Sequence, residues 1–289
     1  MKQIKKITTM LCTLLALGSC SKVNSNTSKK ALLVVSFGTS YIESREKTLD
    51  KTREVIMKAF PGYDGFTAFT SQIIINVYKE RDGINIMNVD EAISEIYKQG
   101  YGEVLIVPTL IINGEEYDQM INSIRPFEDK FGKLVISKPL LTSASDYDKV
   151  TTALINELPK VDDKTAVIYM GHGTPHFANS AYPMLDYVFK HKGYKNIYVG
   201  TVEGHPTLEN VVADVKSGGY DNILLLPLMM VAGDHAHNDL AGDEADSWKM
   251  VFKSLGYNVD YILNGMGQLP SIQQIFVDHL NEALEEYPL

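Results

Sequence analysis

The chain has 289 residues, of which 45% are hydrophobic and 22% are charged, a composition typical of folded proteins and not of disordered or fibrous ones. Its formal net charge of −9, without any basic stripe, argues against a general nucleic-acid binder, because such proteins need clustered Lys and Arg to displace counterions from phosphates. A chain of this length forms one large domain or two of ordinary size.

The N-terminus predicts an export signal followed by a tether. Basic residues in MKQIKK precede the apolar run ITTMLCTLLALG, which is too short to span a membrane and is typical of a signal peptide over residues 1–19. The next residues, Leu17-Gly18-Ser19-Cys20, resemble the lipobox of bacterial lipoproteins, in which the Cys is diacylated and becomes the first mature residue. The alternative is an ordinary secretory signal with a chance Cys. We expect an exported, periplasmic or cell-envelope lipoprotein that contacts the membrane through lipid on Cys20 only, with a flexible tether over residues 20–30.

From Ala31 onward, apolar runs alternate with amphipathic stretches. Continuous apolar strands joined by helices indicate a parallel sheet that is covered on both faces. Residues 31–142 therefore predict an N-terminal α/β unit. Its predicted strands are 31–37, 65–69, 103–110 and 133–140, and its predicted helices are 41–60, 72–82, 89–99 and 115–131.

Residues 143–289 repeat this alternation and predict a C-terminal α/β unit, whose closing helix can pack on the N-terminal unit. The fold class is therefore α/β, with two tandem doubly wound parallel-sheet units and an active cleft between them, beyond the carboxyl ends of the strands. The predicted strands of this unit are 165–170, 196–202, 222–230 and 258–263, and its predicted helices are 145–158, 178–191, 207–217, 243–254 and 270–286.

An internal repeat supports two units related by duplication. The segment GYGEVLIVPTLIINGEEYD, from Gly100, aligns without a gap with GYDNILLLPLMMVAGDHAH, from Gly219, at a constant offset of 119 residues. This alignment places Glu116 opposite His235. Two further matches are less secure. SFGTS opposite GHGTP pairs Phe37 with His172, and TAFTS opposite TVEGH pairs Thr70 with Glu203. The polar chemistry is thus concentrated in the second unit.

Two imidazoles and a carboxylate predict a site for a divalent first-row metal such as cobalt, iron, nickel or zinc. We expect His172, Glu203 and His235 to hold this metal at the strand ends of the C-terminal unit, with Glu116 facing it from the other unit. The pattern HExxH is absent, so this is not the site of a helical metalloprotease. His205 and His237 are either further ligands or proton carriers, or else exposed loop histidines. The other histidines stand apart from this group: His176, His191 and His279.

Glycine-rich turns near these residues predict a ligand-binding surface. Free backbone N–H groups at such turns can hold anionic substituents, although ordinary strand-to-helix turns have the same pattern. The segment of Phe37, Gly38, Thr39 and Ser40 and the turn at Gly173 are the candidates for this role. Apolar wall candidates, with core packing as an equal alternative, are Phe37, Leu110, Met229 and Met230. We interpret Trp248 as a packing residue.

The mature chain resembles the anaerobic, class II sirohydrochlorin cobalt chelatases, within the larger class that includes ferrochelatase. The matching runs are ALLVVSFGTSY, AFTSQII, RDGI, IINGEEYD, MGHG, PLMMVAGDHAHND and DSWKM. The resemblance implies insertion of Co²⁺ into sirohydrochlorin, a step of anaerobic cobalamin biosynthesis, with Fe²⁺, Ni²⁺ or Zn²⁺ as alternatives in vitro and no organic cofactor. It also implies that His172 and His235 handle the metal and that Glu116 and Glu203 are acidic site residues. We expect Glu203 to be a further metal ligand and Glu116 to assist proton removal or metal delivery.

An export signal is unexpected for a step of cobalamin assembly, which takes place in the cytoplasm. The alternative function is a cell-envelope protein that binds haem, another tetrapyrrole or metal during uptake, without turnover. Either function needs donors for a carboxylate-rich macrocycle, and Ser40, Ser44 and Arg45 are candidates. The sequence leaves the physiological metal, the tetrapyrrole and the oligomeric state open, and a homo-oligomer is possible.

Overall fold

The computed structural model describes residues 26–287, with side-chain surroundings from residue 29 onward. The N-terminal unit is a four-stranded parallel sheet in the order β2-β1-β3-β4, with helices on its faces. Its strands are β1 (Asn26–Ser36), β2 (Asp64–Phe69), β3 (Tyr101–Pro108) and β4 (Lys133–Ile136). Its helices are α1 (Ile42–Lys47), α2 (Leu49–Ala59), α3 (Gln72–Val77), α4 (Val89–Lys98) and α5 (Glu115–Ile124).

The C-terminal unit has the same architecture, a parallel sheet in the order β6-β5-β7-β8. Its strands are β5 (Thr165–Gly171), β6 (Ile197–Thr201), β7 (Asn222–Pro227) and β8 (Asn258–Tyr261). The helices of the second half are α6 (Ala144–Glu157), α7 (Ala181–His191), α8 (Leu208–Gly218), α9 (Trp248–Ser254) and α10 (Pro270–Glu286). The predicted α/β class with two duplicated parallel-sheet units is therefore confirmed.

The central strands are buried on both faces, which explains their continuous apolar sequences. Residues 31–35 of β1 and residues 104–107 of β3 are at most 1% exposed. Helices cover both faces of such a sheet, so neither set of alternating side chains meets water. These strands form the core around which each unit is built.

The strand register confirms the repeat that begins at Gly100 and Gly219. Val35 pairs with Pro108 in the first sheet, and Met170 pairs with Pro227 in the second. The equivalence continues past the strands, because the N–H of Asp118 donates to Gly114 O over 3.0 Å just as the N–H of His237 donates to Gly233 O over 3.1 Å. Glu116 and His235 are therefore structural equivalents.

The pairing of Thr70 with Glu203 was wrong by one residue. The N–H of Ser71 donates to Phe37 O over 3.2 Å, and the N–H of Glu203 donates to His172 O over 2.7 Å. These equivalent hydrogen bonds make Ser71 the counterpart of Glu203. The short segment matched after β2 and β6 contains too little periodicity to set its register.

Several predicted boundaries also change. The helix predicted over 41–60 divides at Thr48, whose hydroxyl donates to Ser44 O over 2.5 Å and whose φ of −118° departs from the helical value of about −63°. The helix predicted over 243–254 begins only at Trp248, because the Ser247 hydroxyl caps it by accepting from Met250 N. The strand predicted over 222–230 ends at Pro227, so His235 does not follow a strand end directly.

The structure corrects the tether prediction for residues 26–30, which belong to β1 and in which Asn26 and Lys30 pair with Tyr101 and Glu103 of β3. Lys30 pairs with Glu103 in the ladder, and their side chains form an ion pair at 3.0 Å. The signal peptide, Cys20 and the rest of the tether lie outside the described residues. Among residues 26–287, the helices are too short or too polar to cross a membrane.

Two helices cross between the units. Helix α6 follows the last strand of the N-terminal sheet but packs against α7 of the C-terminal unit. Helix α10 follows the last strand of the C-terminal sheet and packs back against α2, β3 and β4. The helix that follows each sheet along the chain therefore packs on the other unit, and this exchange joins the two units.

A buried hydrogen-bonded pair joins the two exchanged helices. His279 of α10 lies with its Nε2 3.0 Å from Asp146 Oδ1 of α6, and both residues are at most 2% exposed. Burial alone would raise the pKa of Asp146, but hydrogen bonds from His279 and from Ser143 outweigh it and lower this pKa to about 2. Sequence reasoning had left His279 without a partner, since 133 residues separate it from Asp146.

This pair predicts an acid-dependent loss of stability. Because the folded-state pKa of Asp146 lies below its ordinary value, the stabilisation is present above pH 4 and is lost as the pH falls towards 2. Between pH 5 and pH 3, the free energy of unfolding should fall by about 1 kcal/mol more in the wild type than in Asp146→Asn. Urea titrations followed by circular dichroism measure this difference.

The control is Asp148→Asn, which removes an exposed carboxylate of the same helix that pairs with Lys192. It should keep the wild-type pH dependence. If Asp146→Asn also keeps it, the pair does not provide this stability.

Candidate metal centre

Two site residues are placed by neighbouring parallel strands. His172 directly follows β5, and Glu203 lies two residues beyond β6. Gly171 and Thr201 pair at the ends of these strands. The backbone hydrogen bond from Glu203 N–H to His172 O continues this pairing just beyond the strand ends. The carboxylate and the imidazole therefore meet at the carboxyl edge of the sheet.

His235 reaches the same place by another route. Six loop residues follow β7, and a short helical segment over residues 234–240 then carries the side chain back over the sheet edge. Its ring lies 4.7 Å from the ring of His172, centroid to centroid, at an angle of 82°. One ligand atom from each of His172, Glu203 and His235 lies within 4.8 Å of the others. The structure thus brings the three predicted metal ligands together.

Hydrogen bonds orient both imidazoles. His235 Nδ1 lies 2.5 Å from Asp239 Oδ2, and His172 Nδ1 lies 2.8 Å from Gly173 O. A carbonyl and an ionised carboxylate only accept, so each Nδ1 donates, and in the neutral form of each ring Nε2 has the free lone pair. A second partner of this kind commonly fixes the ring of a metal-binding His.

Sequence reasoning missed Asp239. Its signal was the i,i+4 spacing from His235, which places two side chains on the same face of a helical turn. The prediction that His235 lies at the end of the strand over 222–230 hid this spacing.

Two glycines let the backbone pack closely behind His172. Gly173 has φ of +82°, and a Cβ there would lie 2.6 Å from the backbone nitrogen of Gly204. A Cβ at Gly171 would lie 2.3 Å from Cε1 of the Tyr182 ring. Any side chain at either position would therefore displace the turn that presents His172.

The β1–α1 connection of the N-terminal unit faces this centre. Phe37 is 41% exposed, and its ring centroid lies 6.4 Å from that of His172. Tyr41 stacks on His237 with centroids 4.7 Å apart. Burial first, and then the negative charge of Asp234, raises the pKa of Tyr41. Loops of the two units therefore touch on this side of the centre.

The other residues predicted in this connection differ in exposure. Gly38 and Thr39 are buried and Ser40 is half-buried. The Thr39 hydroxyl lies beside Gly233, where a Cβ would approach it to 3.2 Å. Phe37 and Ser40 are thus the side chains of this segment that face solvent.

Glu116 is the second residue of α5 and lies outside the group of three ligands. It is half-buried and close enough to Tyr182 for its charge to act on that hydroxyl. Burial and then this charge raise the pKa of Tyr182 to about 12. Since the Tyr182 ring lies against Gly171, Glu116 faces the region behind His172 from the opposite unit.

A second contact crosses between the units nearby. His176 Nε2 lies 3.4 Å from Asp118 Oδ2, and sequence reasoning had given His176 no partner. His176, Glu203 and the exposed His205 also line one open pocket of about 440 Å³. His205 and His237 are therefore both close to the centre, the first beside this pocket and the second against Tyr41.

The apolar candidates divide between wall and core. Leu110 and Met230 are each 7% exposed and pack in the core, whereas Phe37 is open to the cleft. Met229 is half-buried against a core cluster. Trp248 is 3% exposed and packs over Gly200, as expected for a packing residue.

Comparisons with known proteins place this chain in a family. The family of cobalt chelatases, CbiK, matches residues 30–285. The chain is 40% identical over 256 residues to a sirohydrochlorin cobaltochelatase of Salmonella typhimurium, covering 89% of this chain and 97% of that protein. It is 30% identical over 265 residues to the sirohydrochlorin cobaltochelatase CbiKC of Nitratidesulfovibrio vulgaris, covering 89% and 91%.

Solved structures share the fold at low sequence identity. SirB from Bacillus subtilis with Fe³⁺ superposes with a TM-score of 0.58 at 12% identity, covering 88% of this chain and 95% of that one. DR2241 from Deinococcus radiodurans, described as similar to chelatases, gives a TM-score of 0.56 at 14% identity, covering 89% and 55%. The match over almost the whole described chain and the two relatives establish that this chain belongs to the CbiK family of cobalt chelatases.

Proposed function

We propose that the protein inserts Co²⁺ into sirohydrochlorin. The observation that carries this proposal is the convergence of His172, Glu203 and His235, with one ligand atom each within 4.8 Å, at an edge faced by Phe37 of the N-terminal unit. Two relatives that cover the chain almost end to end are sirohydrochlorin cobaltochelatases. The metal is a substrate here, so its site must bind the ion and then release it.

The three ligands suit such a transient site. His172 and His235 would each bind Co²⁺ through Nε2, and Glu203 would add a carboxylate oxygen. The side chains of these residues are 37%, 33% and 55% exposed respectively, so the ion can arrive with water still bound. A partly open site with few protein ligands leaves coordination positions for the pyrrole nitrogens of the incoming macrocycle.

Insertion also requires the removal of two pyrrole protons. We assign this step to Glu116, because it belongs to the opposite unit, acts on the Tyr182 hydroxyl through its charge and lies outside the ligand group. An ionised carboxylate can accept a proton from one face while the histidines hold the metal on the other. Phe37, exposed beside His172, would form an apolar wall for the macrocycle.

The three ligands do not select one metal by themselves. Imidazole and carboxylate sites bind Fe²⁺, Ni²⁺ and Zn²⁺ as well as Co²⁺, and affinity rises along the series from iron to copper. We propose Co²⁺ as the substrate on the basis of the family. The proposed reaction needs no organic cofactor.

The test is a metal-insertion assay on protein lacking residues 1–20, with sirohydrochlorin and Co²⁺ or Fe²⁺, followed by absorbance. We expect many turnovers per protein molecule. Stoichiometric binding of haem or sirohydrochlorin without insertion would contradict the enzyme and support an uptake protein.

Two variants in the same assay separate metal binding from proton removal. His235→Ala should weaken Co²⁺ binding in isothermal titration about tenfold or more and lower the insertion rate with it. Glu116→Gln keeps the shape of the side chain, so it should lower the rate while leaving Co²⁺ affinity nearly unchanged. His191→Ala, at an exposed position at the end of α7, is the matched control. Equal losses of affinity in the two site variants would contradict the separate roles.

We further propose that the protein is exported and anchored in the cell envelope through lipid on Cys20, as its N-terminal pattern indicates. The N-terminal lipid would then be its membrane contact. Such a location would separate the protein from cytoplasmic cobalamin assembly and leave its metallated product outside.

This location predicts that Cys20→Ser abolishes lipid attachment and moves the protein from the membrane to the soluble fraction. Fractionation with antibody detection, together with mass spectrometry of the N-terminus, measures both effects. Cys12→Ser, within the proposed signal, should leave lipid attachment unchanged. Lipid-free protein that still sediments with membranes would contradict the anchor.

A further inference from the structure

The run Ser247-Trp248-Lys249 contains two buried polar side chains that the proposed reaction does not use. Ser247 is 2% exposed and Lys249 is 7% exposed. An ammonium is costly to bury, so a buried lysine needs partners that hold it in place. These residues begin helix α9, after the turn that follows the helical segment over residues 234–240. We call residues 234–240 the His235 segment, because they carry this candidate metal ligand.

Lys249 holds the end of the His235 segment through its ammonium. Its Nζ donates to Ala241 O over 2.5 Å and to Asp243 Oδ1 over 2.7 Å. The Tyr261 ring centroid lies 5.6 Å from the same nitrogen. Ala241 directly follows the segment, and the last carbonyls of a helix have no partners within the helix. The ammonium therefore fixes the point at which the segment ends.

Ser247 holds the next residue of this turn. Its hydroxyl donates to Gly242 O over 2.7 Å and accepts from Met250 N over 3.2 Å. Gly242 is in turn bonded to the His235 segment, because its N–H donates to Asn238 O over 3.0 Å. A Cβ on Gly242 would lie 2.2 Å from that oxygen, so the turn is too close for a side chain. One hydroxyl thus caps α9 and ties it to the His235 segment.

Trp248, between these two residues, contacts the strand that leads to Glu203. A Cβ at Gly200 of β6 would lie 2.7 Å from Cη2 of the Trp248 ring, so the ring and the strand are in direct contact. Leu240, the last residue of the His235 segment, belongs to the same buried cluster as Trp248. The first turn of α9 therefore touches two chain segments that present candidate metal ligands, β6 before Glu203 and the His235 segment.

The His235 segment needs such support from outside. His172 and Glu203 follow strands closely, whereas β7 ends at Pro227, before the His235 segment begins. The segment is a single turn of π type, in which the N–H of Ala241 donates to the carbonyl of Ala236 over 3.3 Å. Such turns are rare, and so short a helix is not stable by itself. Contacts with the rest of the fold must therefore set the position of His235.

We propose that Lys249 is a positioning residue for Co²⁺ binding, which acts by holding His235 at a fixed distance from Glu203. The proposal rests on the proposed function, since it concerns the same metal site. Lys249 acts through Ala241 and the His235 segment. Loss of the ammonium would release the end of the segment and let the imidazole of His235 move away from the other two ligands.

The test measures Co²⁺ binding without a macrocycle, by isothermal titration and by the visible absorption of the bound ion. Lys249→Met keeps most of the length and packing of the side chain but removes the ammonium. We expect the dissociation constant of Co²⁺ to rise about fivefold, at a temperature where circular dichroism shows that the variant is fully folded. The absorption bands depend on the number and arrangement of the ligands, so they should shift towards those of His235→Ala.

A double-mutant cycle separates this role from a general loss of stability. If Lys249 acts through His235, Lys249→Met should change the dissociation constant of Co²⁺ little in the His235→Ala background, although it raises this constant in the wild type. Lys253→Met removes the same charge from an exposed position of α9 and should leave the affinity and the spectrum unchanged.

A milder variant maintains the test if Lys249→Met does not fold. Ser247→Gly removes the hydrogen bond to Gly242 O and substitutes a residue that the N-terminal cap of a helix tolerates. It should raise the dissociation constant of Co²⁺ in the same direction but by a smaller factor, and it should again have little effect in the His235→Ala background.

Two results would overturn the proposal. The first is wild-type Co²⁺ affinity and absorption in folded Lys249→Met or, if that variant does not fold, in Ser247→Gly. The second is an equal loss of affinity in the wild-type and His235→Ala backgrounds, which would show that Lys249 does not act through His235. The expected changes in Co²⁺ binding, in a protein that inserts no cobalt into sirohydrochlorin, would contradict the proposed function but not this role of Lys249.

Discussion

The exchange of the closing helices holds the two sheets in a fixed relation, and the candidate site depends on that relation. Helix α10 packs on the first unit and α6 on the second, with His279 and Asp146 buried where the two helices meet. The candidate metal ligands lie on one unit, while Phe37 and Glu116 lie on the other. A rotation between units would separate these groups without breaking either sheet.

Duplication explains both the symmetry of the backbone and the asymmetry of the chemistry. Equivalent positions after β1 and β5 hold Phe37 and His172, and equivalent helical positions hold Glu116 and His235. The same backbone hydrogen bonds therefore present different side chains in the two units. In the proposed function, the C-terminal unit holds the metal, and the N-terminal unit faces the macrocycle with Phe37 and Glu116.

Much of this arrangement follows from sequence because parallel strands leave strong local signals. Continuous apolar runs such as that of β3 predict buried strands, and the gapless repeat identified Glu116 and His235 as equivalents before any coordinates. The sequence leaves open whether α10 packs on the N-terminal unit, because packing between units leaves no periodic pattern. The pairing of His279 with Asp146 likewise depends on contacts between distant segments.

The candidate site was likewise predicted only in part. His172, Glu203 and His235 were predicted from residue type and repeat position. Asp239 was missed because the segment after β7 turns into a helix that the apolar run MMV concealed. The partners of His176 and His237 come from the opposite unit, so local sequence carries no sign of them.

The central claim is that one Co²⁺ binds between His172, Glu203 and His235. Crystals of protein lacking residues 1–20, soaked with Co²⁺, would locate the ion directly from anomalous scattering measured on both sides of the cobalt absorption edge. The account predicts one dominant peak about 2.1 Å from Nε2 of both histidines, with a Glu203 oxygen also in contact. A dominant peak elsewhere, for instance between His176 and Asp118, or no ordered cobalt at these three residues, would contradict it.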